Sequence, residues 1–468
     1  MLEGLEISEV KWSYVKSQSD VVRYDSDYYS KEYLLDENII LKQKSTTLKE
    51  LSAELLSFGA YSLNNFIEYK ESGIPFIRGI NMKDGILDFS NTIFIDEDAH
   101  KLLWKSEVKP NTVLLSMSGT IGDVAIAIPE YKYPINSNQD IAKITLNGGL
   151  NPFYLYAFLR SKYGQNFLKR EARGSVQQHV FLSQMECIRI PLLSDNFQNN
   201  IEAIVKSAHT NLFKSKSLYS EVENLLLSEL GLKDWQPNNA PINIKQLKES
   251  FLASGRLDAE YYQTKYDELF SKLSKYVCDT IKDIASIKKS VEPGSEAYQA
   301  SGIPFVRVSD VTKFGINEPN IFLSPNDFSL TELRPKKDTI LLSKDGSVGI
   351  AYKVEEDMDC ITSGALLHLS VFNKEYNPDY LTLVLNSIVV QMQAERDSNG
   401  AIIQHWKPSE IEQVIIPKLP KPIQDTISAK VQESFALKAE SKRLLEEAKI
   451  MVEREIEKEQ LLKEQLNI

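Results

Sequence analysis

Apolar positions recur three and four residues apart along one stretch of the chain, between residues 197 and 230. This spacing places the apolar side chains on one face of a helix, in a pattern close to that of a coiled coil. Gly231 follows the last apolar position and predicts the end of this helix. One helix cannot bury such a stripe by itself, so the pattern requires a partner. The predicted stripe contains Phe197, Ile201, Ile204, Ala208, Leu212, Leu218 or Tyr219, Val222, Leu225 and Leu226.

A second stretch with the same spacing runs from about residue 423 to the C-terminus. Small residues occupy several of its stripe positions, which indicates close helix packing in places. We therefore predict that the two long helices pair with each other, antiparallel. The second stripe contains Ile423, Ile427, Ser434, Leu437, Ser441, Leu444, Ala448 and Met451.

An internal repeat organises the rest of the chain. Residues 23–29 return as 256–262, and four further segments return in the same order. The offset between copies changes only from 233 residues (Arg23 to Arg256) to 226 residues (Arg173 to Asn399), so chance is an unsatisfactory explanation. The other matched pairs are 72–78 with 301–307, 114–122 with 341–349, 151–155 with 377–381, and 173–179 with 399–405.

Each copy mixes strand-like and helical patterns ahead of its long helix. Runs rich in β-branched and aliphatic residues predict strands, and Asn-Pro at 151–152 and 377–378 predicts the start of a helix in each copy. The predicted fold class is α+β: two tandem α/β-mixed domains joined by a pair of long antiparallel coiled-coil helices, with a pseudo-two-fold internal repeat. The predicted strands are 112–116, 124–128, 141–146, 339–343 and 365–371, and the predicted helices are 152–170 and 378–395.

These patterns divide the chain into six segments. Two mixed heads cover 45–193 and 275–420, and two long helices cover 194–231 and 421–468. A lead-in segment precedes each head, at 1–44 and 232–274, and the second of these begins with a linker rich in Pro and Asn.

Composition narrows the class of protein. At 468 residues the chain suits two to four domains, and three widely spaced cysteines without metal-ligand spacing favour a reducing cytoplasm. The N-terminus has no signal-peptide pattern, and no apolar stretch reaches the roughly 18 residues of a membrane span. We expect a cytoplasmic protein with no membrane partner. The net charge of −11 disfavours nucleic-acid binding, although a basic face can coexist with acidic helices elsewhere.

The ordered set of repeated motifs resembles type I restriction-modification specificity (S) subunits. The motifs are Gly-Ile-Pro-Phe-(Ile/Val)-Arg, Leu-Leu-Ser-x-x-Gly-(Thr/Ser)-(Ile/Val)-Gly, Asn-Pro-x-Tyr-Leu and Gln-His, and the resemblance covers nearly the whole chain. It implies that each head recognises one half of a bipartite site in double-stranded DNA. It also implies that the helix pair sets the half-site spacing and docks DNA methyltransferase (M) subunits, with a restriction and motor (R) subunit in a complete system. The N-terminal segment through Tyr33 is longer than the resemblance leads us to expect.

A glycine-bearing turn follows a predicted strand in each head. Its first copy has Ser116, Ser118 and Thr120, and its second has Lys344, Asp345 and Ser347. Lys favours guanine acceptors and Asp the cytosine amino group, so a different polar pair suits two heads that read different bases. A plain β-turn that needs flexible glycine explains the same residues.

A second loop in each head ends in Gln-His. The candidate DNA contacts are Arg173, Ser175, Gln177, Gln178 and His179 in the first head. Their counterparts in the second head are Asn399, Gln404 and His405. Gln pairs well with adenine and Arg with guanine, but each His also suits a buried or turn-capping role.

Basic residues supply candidate phosphate contacts. Arg170 belongs to a basic run with Lys162 and Lys169, which a solvated helix face would also explain. Arg78 and Arg307 occupy the same position in the two heads, where each contacts DNA or holds a structural carboxylate. The remaining candidates near these arginines are Asn81, Lys83, Ser309 and Lys313.

Catalysis by this chain is not expected. Asn151-Pro-Phe-Tyr154 is similar to the adenine methyltransferase motif N-P-P-(Y/F), but its second proline is missing and no glycine-rich cofactor motif precedes it. The histidines lack cysteine or carboxylate partners at metal-ligand spacing, so we expect neither metal nor cofactor. Two other functions remain open: a helical scaffold that binds no DNA, and a recognition subunit of another restriction-modification class.

Overall fold

The chain divides into two compact units, and both boundaries fall inside long helices. Unit 1 comprises residues 1–212 and 439–468, and unit 2 comprises residues 213–438. Each unit therefore contains one head and a part of each long helix. The computed structural model describes residues 8–17, 23–51, 53–57, 67–174, 178–238, 240, 242–328, 333–400 and 403–466, with side chains through residue 458.

Unit 1 combines a helical lead-in with short strands and paired helices. Its helices are α1 (Trp12–Ser17), α2 (Lys31–Leu41), α3 (Glu97–Leu102), α4 (Pro152–Arg160), α5 (Lys162–Glu171), α6 (Leu182–Met185) and the start of α7 (Asp195–Glu229). Its strands are β1 (Ser45–Thr47), β2 (Glu54–Leu56), β3 (Ile74–Ile77), β4 (Met82–Lys83), β5 (Ile86–Leu87), β6 (Ile93–Ile95), β7 (Glu107–Val108), β8 (Val113–Ser116), β9 (Val124–Ile126), β10 (Ile135–Ser137), β11 (Ile141–Thr145) and β12 (Arg189–Pro191).

Two four-stranded sheets form the head of unit 1. One has the order β2-β11-β8-β9 and the other the order β6-β3-β10-β7. All four residues of β8 are buried, which explains its continuous apolar sequence. The β3–β10 pair is parallel, while β8 pairs antiparallel with both β9 and β11. The turn that leaves β8 at Ser116 therefore projects from the centre of a buried sheet.

Unit 2 contains most of the same elements in the same order. Its helices are the end of α7, then α8 (Phe251–Ser254), α9 (Thr264–Leu273), α10 (Ile281–Ile284), α11 (Pro378–Leu385), α12 (Ile388–Asp397), α13 (Pro408–Ile411) and the start of α14 (Lys421–Leu466). Its strands are β13 (Cys278–Thr280), β14 (Ala285–Lys289), β15 (Tyr298–Gln299), β16 (Ile303–Val306), β17 (Val311–Thr312), β18 (Gly315–Ile316), β19 (Phe322–Leu323), β20 (Ile340–Ser343), β21 (Ala351–Lys353), β22 (Ile361–Thr362), β23 (Leu366–Val371) and β24 (Ile415–Pro417).

The sheet topology of unit 2 repeats that of unit 1 except at the edges of the second sheet, where β15 lies beside β19 in unit 2 and β7 lies beside β10 in unit 1. The order β14-β23-β20-β21 corresponds to β2-β11-β8-β9, and the parallel pair β16–β22 corresponds to β3–β10. Small antiparallel pairs also recur, with β13–β24 corresponding to β1–β12 and β17–β18 to β4–β5. The predicted mixed fold and internal repeat are confirmed.

The helix after the last long strand of each head differs from the prediction, because it is broken. Ser161 has an extended backbone between α4 and α5, and its hydroxyl caps the start of α5. Asn386 and Ser387 separate α11 from α12 in the same way, with Ser387 as the cap. Capping by a serine hydroxyl satisfies the backbone amides of a new helix start. Each predicted single helix is therefore a helix pair.

The two long helices are present, and in unit 2 they run antiparallel. Ser215 Oγ on α7 lies 3.1 Å from Ser434 Oγ on α14. Further along α7, Glu221 accepts from Lys430 Nζ, earlier on α14, at 2.6 Å. The predicted stripes are partly displaced by one residue: Val205 is buried more deeply than Ile204, and on α14 Leu445 and Val452 are buried more deeply than Leu444 and Met451.

Candidate nucleic-acid interface

In unit 1 the structure brings together the turn after β8 and the loop that ends in Gln-His. His179 and Arg173 exchange two backbone hydrogen bonds, of 2.7 and 2.9 Å, and His179 also forms a bridge with Ser118. Val180 N then donates to Met117 O at 3.0 Å. We call residues 116–122 together with 173–180 loop pair 1. The candidates Ser175 and Gln177 lie outside the described residues.

Unit 2 forms the same arrangement, which we call loop pair 2 (residues 343–349 and 399–406). His405 and Asn399 exchange backbone hydrogen bonds of 2.7 and 3.0 Å, and His405 forms a bridge with Asp345. Gly346 N donates to Gln404 O at 2.9 Å, and Trp406 N donates to Lys344 O at 2.8 Å. Two segments about 55 residues apart in sequence thus form one surface in each head.

The two loop pairs share a backbone but differ in chemistry. In loop pair 1, Ser118 Oγ donates to Asp140 Oδ1 at 2.7 Å. In loop pair 2, Asp345 pairs with Lys344 and accepts from His405 Nδ1 at 2.8 Å. The His405 side chain is 62% exposed, whereas Lys344 and Asp345 are only 12% and 20% exposed, so the imidazole lies at the surface above a mostly buried ion pair. Such groups are suited to the hydrogen-bonding edges of bases.

Glycine is required at two places in each turn, which supports a structural role for these residues. Gly122 and Gly349 have φ angles of 94° and 87°, and an added Cβ would approach Gln165 Oε1 to 2.5 Å and Gln391 Nε2 to 2.8 Å. Gly119 and Gly346 also have positive φ, but open space surrounds them. Any ligand therefore has free access to the backbone at the tip of each turn.

A glutamine from the second helix of each pair holds the turn in place. Gln165 Nε2 donates to Gly122 O at 2.8 Å, and Gln391 Nε2 donates to Gly349 O at 2.8 Å. Both amides also donate to the last turn of the preceding helix, at Leu159 O and Leu385 O. The helix break positions both glutamines, so it contributes directly to the geometry of the surface.

Arg170 does not belong to this surface, which corrects its assignment as a phosphate contact. Its side chain is only 6% exposed, and it pairs with Glu37 Oε2 on the lead-in helix α2 at 3.0 Å. It also donates to Tyr28 O at 2.8 Å and to Tyr14 Oη at 3.2 Å. A buried cation with these partners is a structural anchor. Arg170 therefore attaches the lead-in to the head.

Asn81 and Ser116 are also internal side chains. Asn81 Oδ1 accepts from Arg78 N at 3.0 Å, and its amide donates to Asp88 O at 2.9 Å. Ser116 Oγ donates to Ser118 O at 3.0 Å inside the turn. Both residues are at most 1% exposed. They shape the neighbouring backbone and do not face a ligand.

Arg78 and Arg307 have equivalent structural contacts. Arg78 Nη2 donates to Asn91 O at 3.0 Å, and Arg307 Nη2 donates to Asn320 Oδ1 at 3.1 Å. Arg307 Nε also lies 3.5 Å from the Asp310 carboxylate, which accepts a hydrogen bond from Arg307 N at 2.8 Å. Arg307 thus lies beside a structural carboxylate, as one of the two interpretations expects, whereas Arg78 contacts a backbone carbonyl. Both side chains are nevertheless only partly buried.

Lys83 and Lys313 lie on the β4–β5 and β17–β18 hairpins, which contact the long helices. Lys313 Nζ pairs with Glu223 Oε1 on α7 at 2.7 Å and lies over the Phe314 and Tyr219 rings. Lys83 is exposed, and the adjacent Asp84 lies 3.8 Å from Lys442 on α14. Lys313 is therefore engaged by α7, and the hairpin that carries Lys83 lies beside α14.

The remaining sequence candidates present exposed or half-buried side chains. Arg173 is half-buried close to Asp25, whose pKa is lowered first by the hydrogen bond from Arg23 and further by the positive charge of Arg173. Exposed candidates are Thr120, Gln178, Ser309, Ser347, Asn399, Gln404 and His405.

A buried basic side chain lies beneath each loop pair, and the sequence analysis did not predict either one. Lys143 Nζ donates to Ser137 Oγ at 3.0 Å, and burial lowers the pKa of this lysine to about 7. At the equivalent place in unit 2, His368 Nε2 lies 2.7 Å from Thr362 Oγ1, and burial lowers its pKa to about 4. Lys143 thus connects β11 to the parallel pair β3–β10, and His368 connects β23 to the parallel pair β16–β22. The two pairs differ in residue type, so alignment of the repeat alone did not reveal them.

A family model described as "Type I restriction modification DNA specificity domain" matches residues 47–223. The matched segment therefore resembles the DNA specificity domain of type I restriction-modification systems. The match covers the head of unit 1 and most of α7, and it confirms the resemblance drawn from the repeated motifs.

Individual members of the specificity family are distant in sequence. The chain is 22% identical over 250 residues to the type I restriction enzyme EcoBI specificity subunit of Escherichia coli. That match covers 52% of this chain and 48% of the relative, so the chain spans about half the length of the curated relative it matches.

Two solved structures are similar over most of both chains. The S subunit of a type I restriction-modification system from M. genitalium is 16% identical, covering 90% of this chain and 94% of its own, with a TM-score of 0.38. The HsdS subunit from Thermoanaerobacter tengcongensis is 14% identical, covering 88% and 95%, with a TM-score of 0.29.

Two other kinds of site were sought in the part of the chain that the structure describes. Its helices include none that is both long and apolar enough to cross a membrane. Its His, Cys, Asp and Glu side chains form no group of three or more arranged to hold a metal ion.

Proposed function

We propose that this chain is the DNA sequence-specificity subunit of a type I restriction-modification system, with each head recognising one half of a bipartite target. The observation that carries the proposal is the repetition of one loop-pair backbone with different side chains at its turn. Two heads with the same backbone but different side chains on the turn suit two half-sites of different sequence. The family match to residues 47–223 supplies the class of ligand.

Within each loop pair, two kinds of group serve recognition. The open glycine tips at Gly119 and Gly346 allow backbone amides to approach phosphate oxygens. Gln178 and Gln404 are exposed beside them and suit the paired donor and acceptor of adenine. Lys344 and Asp345 give the second head polar groups that Met117 and Ser118 do not supply in the first. We therefore assign base discrimination to the side chains and positioning to the backbone.

The long helices serve as spacer and docking surface in this proposal. Helix α7 has 35 residues, which at ~1.5 Å per residue gives a length of about 52 Å. This is comparable to about one and a half turns of B-DNA, at roughly 34–36 Å per turn. The partners of the whole chain are DNA methyltransferase (M) subunits and, in a complete system, a restriction and motor (R) subunit. The complex acts in the cytoplasm on double-stranded DNA.

The chain itself serves recognition and not catalysis. Asn151, the residue that resembles a methyltransferase motif, accepts a hydrogen bond from Phe153 N at 2.9 Å and caps α4. Asn377 caps α11 with the same geometry. A helix cap followed by proline accounts for both Asn-Pro pairs. The methyl transfer is therefore assigned to the partner subunit.

The direct test is to co-express the full chain with its methyltransferase partner and map methylated bases genome-wide. The proposal predicts methylation within two short sequences separated by a gap of fixed length and variable sequence. Shortening α7 and α14 by matched turns should shorten the gap and preserve both half-sites. Methylation at a single continuous site, or none that depends on this chain, would overturn the proposal.

A further inference from the structure

The repeated sequence Arg-x-Asp-x-x-Tyr-Tyr forms a compact structure in the lead-in of unit 2. Arg256 Nε donates to Asp258 Oδ1 at 2.9 Å, and a second nitrogen donates to the other carboxylate oxygen. The guanidinium also lies over the Tyr261 ring, 4.5 Å from its centroid. Tyr262 Oη donates to Arg256 O at 3.0 Å. These contacts fix the arginine head, because bidentate pairing and ring stacking both restrain a guanidinium plane.

The fixed guanidinium directs its remaining donors at the base of the Gln-His loop. Nη1 of Arg256 donates to Asp397 O at 3.2 Å, and Nη2 donates to Asn399 Oδ1 at 2.9 Å. Asn399 is the residue that exchanges two backbone hydrogen bonds with His405. A residue of the lead-in, more than 140 positions earlier in the chain, thus contacts the point from which this loop leaves α12.

Arg256 adds a restraint at the start of this loop, beside the hydrogen bonds that Gln404 and His405 make to the 343–349 turn. Gly400 has a φ angle of 136°, and an added Cβ would lie 1.9 Å from Ile403 O, so the chain turns sharply there. Asn399, Gln404 and His405 are all exposed. Exposed loop residues keep a defined position only where hydrogen bonds to a rigid neighbour restrain them.

We propose that Arg256 is a positioning residue for recognition of the second half-site, because it holds the 399–405 loop in the geometry that meets DNA. This inference rests on the proposed function of the heads. It assigns a role to the lead-in segment, which contacts the loop at its base. Arg256 itself is mostly buried and makes no contact with the ligand in this role.

The first unit provides an internal comparison. Arg23 and Asp25 form the same fork, with Nε donating to Oδ1 at 2.7 Å, and Arg23 lies 4.6 Å from the centroid of the Tyr28 ring. The residue equivalent to Asn399 is Arg173, a cation that cannot accept a hydrogen bond from Arg23. The direct contact from the arginine to a loop side chain is therefore specific to unit 2. Substitution of Arg256 should affect one half-site alone.

The experiment uses the full chain in complex with its methyltransferase partner. Three DNA duplexes serve as probes: the bipartite site mapped for the wild type, the same site with its second half scrambled, and the site with its first half scrambled. The variants are Arg256→Gln and, as a matched control, Tyr262→Phe. The control removes a hydrogen bond of the same lead-in structure but leaves the contacts from Arg256 to the loop.

Arg256→Gln should lower discrimination against the scrambled second half about tenfold, as expected for loss of a charge-assisted hydrogen bond. Discrimination against the scrambled first half should be unchanged, and Tyr262→Phe should retain both. Equal loss at both half-sites, no loss, or an equal loss in Tyr262→Phe would overturn the positioning role. A wild-type complex that yields no bipartite site would instead refute the proposed function itself.

Discussion

A buried ion pair in unit 2 supports a prediction about how its head is attached to helix α14. Lys353 Nζ lies 2.9 Å from Asp379 Oδ1, and their side chains are 6% and 3% exposed. The carboxylate also accepts from Ser428 Oγ at 2.6 Å and from Gln432 Nε2 at 2.9 Å, both on α14. Charged groups therefore connect the end of β21, the start of α11 and the long helix.

Unit 1 has apolar residues at both positions of this ion pair. The sheet registers and the Asn-Pro caps align Lys353 with Ile126 and Asp379 with Phe153, both of which are buried. Replacing a buried ion pair by apolar residues of suitable volume is often neutral, whereas removal of one partner leaves an uncompensated charge. Unit 1 thus indicates which apolar residues suit the two positions in unit 2.

Lys353→Ile alone should destabilise unit 2 by roughly 3–5 kcal/mol, because it leaves the Asp379 carboxylate buried without its cation. The double substitution Lys353→Ile with Asp379→Phe should lower the free energy of unfolding by less than the sum of its two single substitutions, although it also removes a partner of Glu355, Ser428 and Gln432. Urea unfolding of the full chain, with Ile126→Val in unit 1 as a mild packing control, measures both values. A double variant as unstable as the sum of its single variants would refute the reasoning.

Two further predictions concern unit 1. Lys143 has a folded pKa of about 7, below the ordinary 10.5, so the unfolded state binds more protons between these values and stability rises with pH across that window. Lys143→Met should therefore stabilise unit 1 at pH 7 by roughly 2–4 kcal/mol, with a gain that shrinks towards pH 10; a gain independent of pH would contradict the buried-charge account. Arg170→Ala should lower the unfolding temperature but leave the salt dependence of DNA affinity unchanged, whereas Arg173→Ala should leave stability nearly unchanged and flatten the salt dependence. Thermal unfolding and binding titrations at several salt concentrations separate the two arginines, and the opposite pattern would reverse their assignments.

Much of the fold was predictable because it depends on periodicity and repetition. The long helices follow from apolar spacing, and observed strands such as β8 and β23 differ from the predicted ranges by only one residue at the start. The seam was misplaced by one residue at Val205, Leu445 and Val452, because adjacent apolar residues satisfy the same pattern equally well. Only packing against a particular partner decides between them.

Other features depend on contacts that periodicity does not encode. The apolar pattern continues through Ser161, so the break between α4 and α5 was missed; its tight geometry relies on Gly164, where an added Cβ would lie 2.5 Å from Leu159 Cα. Arg170 was grouped with exposed basic residues, because its partners Glu37 and Tyr28 are more than 130 residues away in sequence. The turn after β8 and the Gln-His loop form one surface through backbone contacts between distant segments, so the sequence alone did not predict that they meet.

The central claim is that the loop pairs read the two half-sites, and one exchange tests it most directly. Met117→Lys with Ser118→Asp gives loop pair 1 the residues found at Lys344 and Asp345 in loop pair 2. Methylated bases would be mapped for this variant and for the wild type, each co-expressed with the methyltransferase partner. The account predicts a changed first half-site, with the second half-site and the gap preserved. Unchanged methylation at both half-sites, in a variant that folds and binds its partner, would contradict it.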